Sequence, residues 1–217
     1  MIIDHTNPAY VKKWRSIGAN KYNGAYYYSQ EIVRNIIPNV ETDRNWITVN
    51  VPYLGRDHSI VFVHNNNKPD NYEWLKTAGY KDLILVCGIP ETVEKVKHIG
   101  KAVYLPLSID VAEVESYKVE EKTKSVAYFG RPAKRKDIEL PAGIDIIEGV
   151  PRPEYLELMA QYESVYAVGR TAIEARALGC KLKIFDPRFK SAARWKILDN
   201  FEAAIKLQHI LDDIDGK

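Results

Sequence analysis

Long apolar runs are missing from this chain of 217 residues, and none approaches the ~20 residues that a membrane-spanning helix needs. No apolar signal segment stands at its start either, so a soluble, cytoplasmic protein without a membrane span is expected. Cysteine is scarce. Cys87 and Cys180 are far apart and each lies beside an apolar stretch, which reads as two buried thiols in a reducing compartment rather than a disulfide framework or a metal site. Charge of one sign is lacking too: 31 Lys and Arg against 29 Asp and Glu leave +2, with no asymmetry between the halves. That balance argues against a large electrostatic footprint for nucleic acid or a membrane surface. Four motifs are absent: Gly-x-Gly-x-x-Gly, a Walker-type loop, paired-cysteine zinc spacing and Gly-x-Ser-x-Gly. There is no short-period repeat and no low-complexity tract.

Short apolar segments alternating with amphipathic ones are abundant. The clearest stretch is Val165 to Pro187, VYAVGRTAIEARALGCKLKIFDP. Val165–Val168 reads as a buried strand, Gly169-Arg170-Thr171 as a tight turn, Ala172–Leu178 as a helix stopped by Gly179, and Leu182–Phe185 as the next strand. A helix between two apolar strands is a βαβ unit, which requires a parallel sheet covered by helices. The turn entering that helix lies where strand ends meet a helix N-terminus, and unpaired N–H groups there attract phosphate.

Upstream, SIVFV at Ser59–Val63 and the apolar run Leu83–Val86 read as strands, with a Pro-initiated helix over Pro90–Ile99 and a strand over Ala102–Leu105. This alternation indicates a doubly wound α/β unit over residues 1–110. The charged stretch Val111–Lys124 reads as a connector. A second α/β unit follows over 125–217, with the strand SVAYF at Ser125–Phe129, a basic loop Gly130-Arg131-Pro132…Lys134-Arg135-Lys136, a helix over Pro153–Gln161 and a terminal amphipathic helix over Asp199–Leu211.

Several side chains carry two readings each. Glu174 suits the two hydroxyls of a ribose, but Thr171-x-x-Glu174 is also a capping box whose side chains satisfy orphan N–H groups. Arg131, Lys134 and Lys136 suit a diphosphate at a strand end, or form a solvated loop. Arg170, at the mouth of the second turn, suits the same anion or faces water. His64 follows SIVFV and precedes three asparagines; it suits a sugar hydroxyl or proton transfer near neutral pH, or is a plain loop residue. Asp4-His5, after the first short strand, is a second place for a base.

The succession VYLPLSID, SVAYFGRPAKRK and GRTAIEARALGCKLKIFD resembles two-lobed nucleotide-sugar glycosyltransferases of the GT-B fold. The resemblance implies two small Rossmann-like α/β lobes with a cleft between them. It implies a hexosyltransferase-type, metal-independent activity with a nucleotide-sugar donor as co-substrate and no further cofactor; donor base, sugar and acceptor stay open. By the same resemblance Gly130, Arg131 and one of Lys134 or Lys136 contact phosphate. Glu174, with Ala175 and Gly179, takes the ribose beside Arg170 and Thr171. His64 matches the first-lobe histidine that faces the sugar, and Asp110 the strand end before the hinge. Three departures stand out: Tyr166 occupies the place of a second glutamate, Thr6-Asn7-Pro8 replaces a glycine-rich first-lobe loop, and the chain is short. They keep open a catalytically silent nucleotide- or partner-binding protein on the same scaffold. A nucleic-acid base glycosyltransferase, using Lys122, Lys124, Arg131, Lys134, Arg135 and Lys136 on phosphates, is a third reading.

Overall fold

The computed structural model describes residues 1–16, 24–51, 54–64, 69–130, 139–184 and 194–216. In chain order it runs β1 (Ile2–Ile3), α1 (Pro8–Ser16), α2 (Gly24–Glu31), β2 (Asn45–Ile47), β3 (Ser59–Val63), α3 (Glu73–Thr77), β4 (Leu83–Cys87), α4 (Pro90–Val96) and β5 (Lys101–Tyr104). It continues with β6 (Ser108–Ile109), α5 (Val111–Glu115), β7 (Lys124–Gly130), β8 (Asp145–Glu148), α6 (Arg152–Ala160) and β9 (Tyr162–Tyr166). The last elements are α7 (Arg170–Ala177), β10 (Lys181–Lys183), β11 (Leu198–Asp199) and α8 (Asn200–Asp215). The chain is thus mixed α/β with parallel, Rossmann-like sheets, and forms two compact units: Met1–Pro106 with Asn200–Lys217, and Leu107–Asp199. Among the described residues no helix is long and apolar enough to cross a membrane.

In the first unit the five strands lie side by side in the order β1-β2-β3-β4-β5, all parallel. Every residue of β3 (SIVFV) and β4 (LILVC) is buried. Such continuously apolar strands belong at the centre of a sheet covered on both faces, and Val61, Val63, Leu85 and Cys87 form the core with Ile47, Tyr72 and Leu75. Spatial order follows chain order, so this sheet lacks the central reversal of a doubly wound one. Helix α2 ends in a wide turn at Ile32–Ile36 and a tight one at Ile37–Asn39. Pro38 explains the change of pitch, since it lacks the N–H that an α-helix would direct to Arg34. Helix α8 buries Ala203, Ala204, Leu207 and Leu211 and packs on the Ile32–Ile36 turn. Gln208 holds the Glu41 backbone from both sides, its Oε1 accepting from the N–H at 2.7 Å and its amide donating to the carbonyl at 3.3 Å.

The second unit has a four-stranded parallel sheet in the order β10-β9-β7-β8. A two-stranded parallel pair, β6 with β11, accompanies it. Here the order does reverse: the chain steps from β7 to β8 on one side, then returns to place β9 on the other. Helix α5 lies inside the stretch read as a connector, capped by the Asp110 carboxylate, which accepts from the Glu113 N–H at 2.9 Å. Lys122 secures two further helix ends. Its ammonium donates to the carbonyls of Ala160 at 2.8 Å and Leu178 at 3.0 Å, where a cation also complements the negative ends of α6 and α7.

Candidate functional site

In an open parallel sheet, ligands collect beyond the carboxyl ends of the strands where the strand order reverses. In the second unit that place is between β7 and β9, paired in register at Tyr128↔Tyr166. Strand β7 ends at Gly130, and β9 ends at Tyr166, three residues before Gly169 opens α7. Both turns therefore leave the same edge of the sheet. Gly169 adopts φ 62° and ψ −136°, a conformation that essentially only glycine takes, and no atom lies within 4 Å of where its side chain would begin. Gly130 is a glycine for a different reason. A Cβ there would collide with the phenol of the fully buried Tyr128, so neighbouring packing requires it.

The expected capping box does not form. Gly169 is the N-cap and no side chain caps the helix, because the glycine turn starts α7 two residues earlier than Thr171 would. Thr171 becomes the second helical residue, its hydroxyl 3.5 Å from the Tyr155 hydroxyl. Glu174 falls in the second turn, 4% exposed. Its Oε1 accepts from Arg152 Nη1 and ion-pairs with Arg170 Nε at 3.2 Å. Arg152 also reaches Glu113 Oε2 through Nη2 at 3.2 Å.

Arg152 and Arg170 share a position: each is the first residue of its helix, α6 after β8 and α7 after β9. Strands β8 and β9 flank β7, so the two helix N-termini start on either side of the Gly130 end. A guanidinium at the positive end of a helix opposes the helix dipole. Here it happens twice on one sheet edge, both times with the arginine buried. The arrangement presents helix N-termini and paired-donor cations together, which is the chemistry that holds phosphate. Arg170, Thr171, Glu174 and Gly130 of the sequence reading meet at this edge. Arg131, Lys134 and Lys136 lie outside the described residues. Arg152 escaped the sequence reading, and the signal that could have found it is an arginine beside Pro153 in a first helical turn where acids are favoured.

His64 belongs to the first unit. Its Nε2 donates to the Thr48 carbonyl, its N–H donates to the Tyr72 hydroxyl at 2.9 Å, and Tyr28 meets its ring edge-on at 5.6 Å. Thr48 links it to the other histidine: Thr48 Oγ1 lies 2.8 Å from Ser29 Oγ, which lies 3.4 Å from His5 Nδ1. Burial lowers the His5 pKa, with Asp4 opposing and Arg34 adding to the effect. His5, Thr48 and His64 each follow the carboxyl end of their strand, β1, β2 and β3.

At the amino edge of the same sheet is a charged network that sequence reading missed. His58 Nδ1 meets Asp82 Oδ2 at 2.5 Å and its Nε2 meets Asp43 Oδ1 at 3.0 Å. Arg44 pairs with Asp82 at 3.0 Å and Asp215 at 2.9 Å. The hydrogen bonds to Asp82 and then Asp43 raise the His58 pKa, while His58 and then Arg44 lower that of Asp82. Among the described residues no group of three or more His, Cys, Asp or Glu could hold a metal ion. No family model, no curated protein and no solved structure matches the chain.

Proposed function

We propose that the chain is a glycosyltransferase whose second unit binds the diphosphate of a nucleotide-sugar donor at the carboxyl edge of β7 and β9. The observation that carries this reading is the placement of Arg152 and Arg170 at two helix N-termini flanking that edge, beside the open turn at Gly169. On departure of the sugar the diphosphate gains negative charge. Fixed guanidinium groups and helix N–H groups stabilise that charge without reorganising at the moment of reaction. Arg131 and Lys134 or Lys136, which follow β7 in sequence, would add cations to the same anion.

Calorimetry with uridine, guanosine, cytidine and adenosine diphosphates tests the binding step. Micromolar binding of at least one, lost in Arg170→Ala, is expected; no binding of any of the four overturns the proposal. The second reading, a nucleotide-binding protein without turnover, is favoured by one observation: His64 Nε2 is occupied by the Thr48 carbonyl, which leaves that nitrogen unavailable for proton transfer. Tight nucleotide binding with no release of sugar from any nucleotide sugar, across varied acceptors, would select it over the enzyme.

A further inference from the structure

Strands β3 and β4 begin in register at Ser59↔Leu83, and the residues before them, His58 and Asp82, have positive φ angles of 53° and 51°. Among the described residues no other residue besides glycine has a positive φ. A left-handed backbone costs energy outside glycine and persists where surrounding contacts hold it. Here the two strained residues hold each other, His58 Nδ1 donating to Asp82 Oδ2 at 2.5 Å. The other ring nitrogen, Nε2, donates to Asp43 Oδ1 at 3.0 Å. A neutral imidazole carries one N–H and an imidazolium two, so only the protonated ring donates to both carboxylates. We propose that His58 is a pH-operated latch: protonated, it fastens residues 41–43 to the amino edge of the first sheet, beside the end of α8, and neutral, it lets them go.

Which carboxylate is released follows from their other partners. Asp82 is also bound by Arg44 Nη1 at 3.0 Å. Arg44 is buried and in turn binds Asp215, the last residue of α8, at 2.9 Å, whereas the Asp43 side chain is 87% exposed. The neutral ring therefore keeps its proton on Nδ1, toward Asp82, and turns a lone pair to Asp43. Glu41, Thr42, Asp43, His58 and Asp215 line one open depression. The carboxylates of Glu41, Asp43, Asp82 and Asp215 thus gather around the cations Arg44 and His58, and loss of the His58 charge leaves the acids to repel one another. Asp57, beside His58 in sequence, accepts from the Lys81 N–H at 2.7 Å. The hydrogen bonds to Asp82 and then Asp43 raise the His58 pKa, so the latch is closed below the ordinary histidine value of 6.5 and opens as pH rises through the folded one. Pairs this exposed are weak, so opening frees the segment and leaves the buried sheet intact.

Amide hydrogen exchange on the full chain at about pH 5.5 and about pH 8.5, each divided by the unstructured rate at that pH, tests the latch. The reporters are the N–H groups of Glu41, which donates to Gln208 Oε1 of α8 at 2.7 Å, and of Arg44, which donates to Thr42 Oγ1 at 3.2 Å. Their protection should fall about tenfold from the lower to the higher pH in wild type, while that of β3 and β4 holds. His58→Asn, which suits a positive φ but does not titrate in this range, should abolish the fall. Asp43→Asn leaves His58, Asp82 and Arg44 in place and should abolish it equally, so it decides the matter if His58→Asn fails to fold. Equal protection at both pH values in wild type overturns the proposal. So does a fall that persists in either folded variant, which puts the titrating group elsewhere. A fall shared by β3 and β4 overturns it as well, because the event is then unfolding of the whole unit.

Discussion

Replacing Glu174 by leucine is the sharpest perturbation of the second unit. The side chain is 5% exposed, and those of its two partners are 9% (Arg152) and 7% (Arg170). Removing the carboxylate therefore takes an ion-pair partner from two guanidinium groups where water cannot replace it. Breaking a single buried pair costs about 3–5 kcal/mol, because the surviving charge keeps its desolvation penalty. Arg152 retains Glu113, whose side chain is 43% exposed, and the total should stay near that range. Such a loss is a large share of the ~5–15 kcal/mol that holds a domain folded. The counterpart is Glu174→Leu combined with Arg152→Met and Arg170→Met, in which all three charges leave together. Apolar replacement of buried charges together with their shared partner is about neutral or stabilising, so the triple variant should recover most of the single variant's loss. Urea unfolding followed by circular dichroism reads both, with the transition of the second unit expected to move and that of the first unit to hold. If the triple variant is as unstable as the single one, the loss comes from shape and not from unpaired charge, and the electrostatic account of the cluster is refuted.

Three other outcomes are expected. The His58 pKa is raised by Asp82 and Asp43, so its stabilising contribution is complete below the unfolded histidine value of 6.5 and is lost as pH rises through the folded one. Asp82 and Asp43 are lowered, chiefly by His58, so their contribution is present above 3.8 and is lost as pH falls through their folded values. The network should be strongest between those limits. An NMR titration of His58 with a midpoint above 6.5, and a flatter stability profile above that pH in His58→Gln, are the checks; a midpoint at or below 6.5 contradicts it. Lys122→Met leaves the Ala160 and Leu178 carbonyls without their shared donor and should cost about 1–3 kcal/mol, read as a lower urea midpoint. Cys87, buried with its thiol pushed up to about 12, should not react with a thiol reagent until the chain unfolds, and neither should Cys180, whose thiol burial also raises; labelling of either in the native state at neutral pH would contradict their burial.

Much of the fold was legible because burial imposes period and composition. SIVFV is β3 from end to end, and LILVC is β4, one residue longer than the apolar run suggested. Uniformly apolar, largely β-branched segments have few alternatives to a central parallel strand. Strand order was not legible. The helix-and-strand alternation of the two units is alike in sequence, yet one sheet runs in chain order and the other reverses at β7. That choice depends on which face each helix covers, a tertiary matter. Strands β6 and β11 are two residues each and lie far apart in sequence, too short for a periodic signal. Helix α8 was visible as amphipathic, whereas its seat on the Ile32–Ile36 turn depends on partners such as Asn200, which donates to Glu31 at 2.8 Å.

The candidate site was half visible, and the boundary has a physical cause. A glycine turn into a helix after an apolar strand can be read from sequence, because φ above zero and an apolar run are local properties. Glu174 drew two local interpretations, a cap and a ribose ligand; no side chain caps α7, and the carboxylate meets one partner a turn away, Arg170, and one far off in sequence, Arg152. Arg152 lies 22 residues from Glu174, and nothing in PRPEY specifies a partner across β9. What sequence does hold is a violation: arginine at the first position of two successive helices, where acids are favoured and cations are not. A cation set against a helix dipole and then buried needs acceptors brought to meet it. Here Glu174 meets both arginines, and Glu113, whose side chain is 43% exposed, meets Arg152 from its other side.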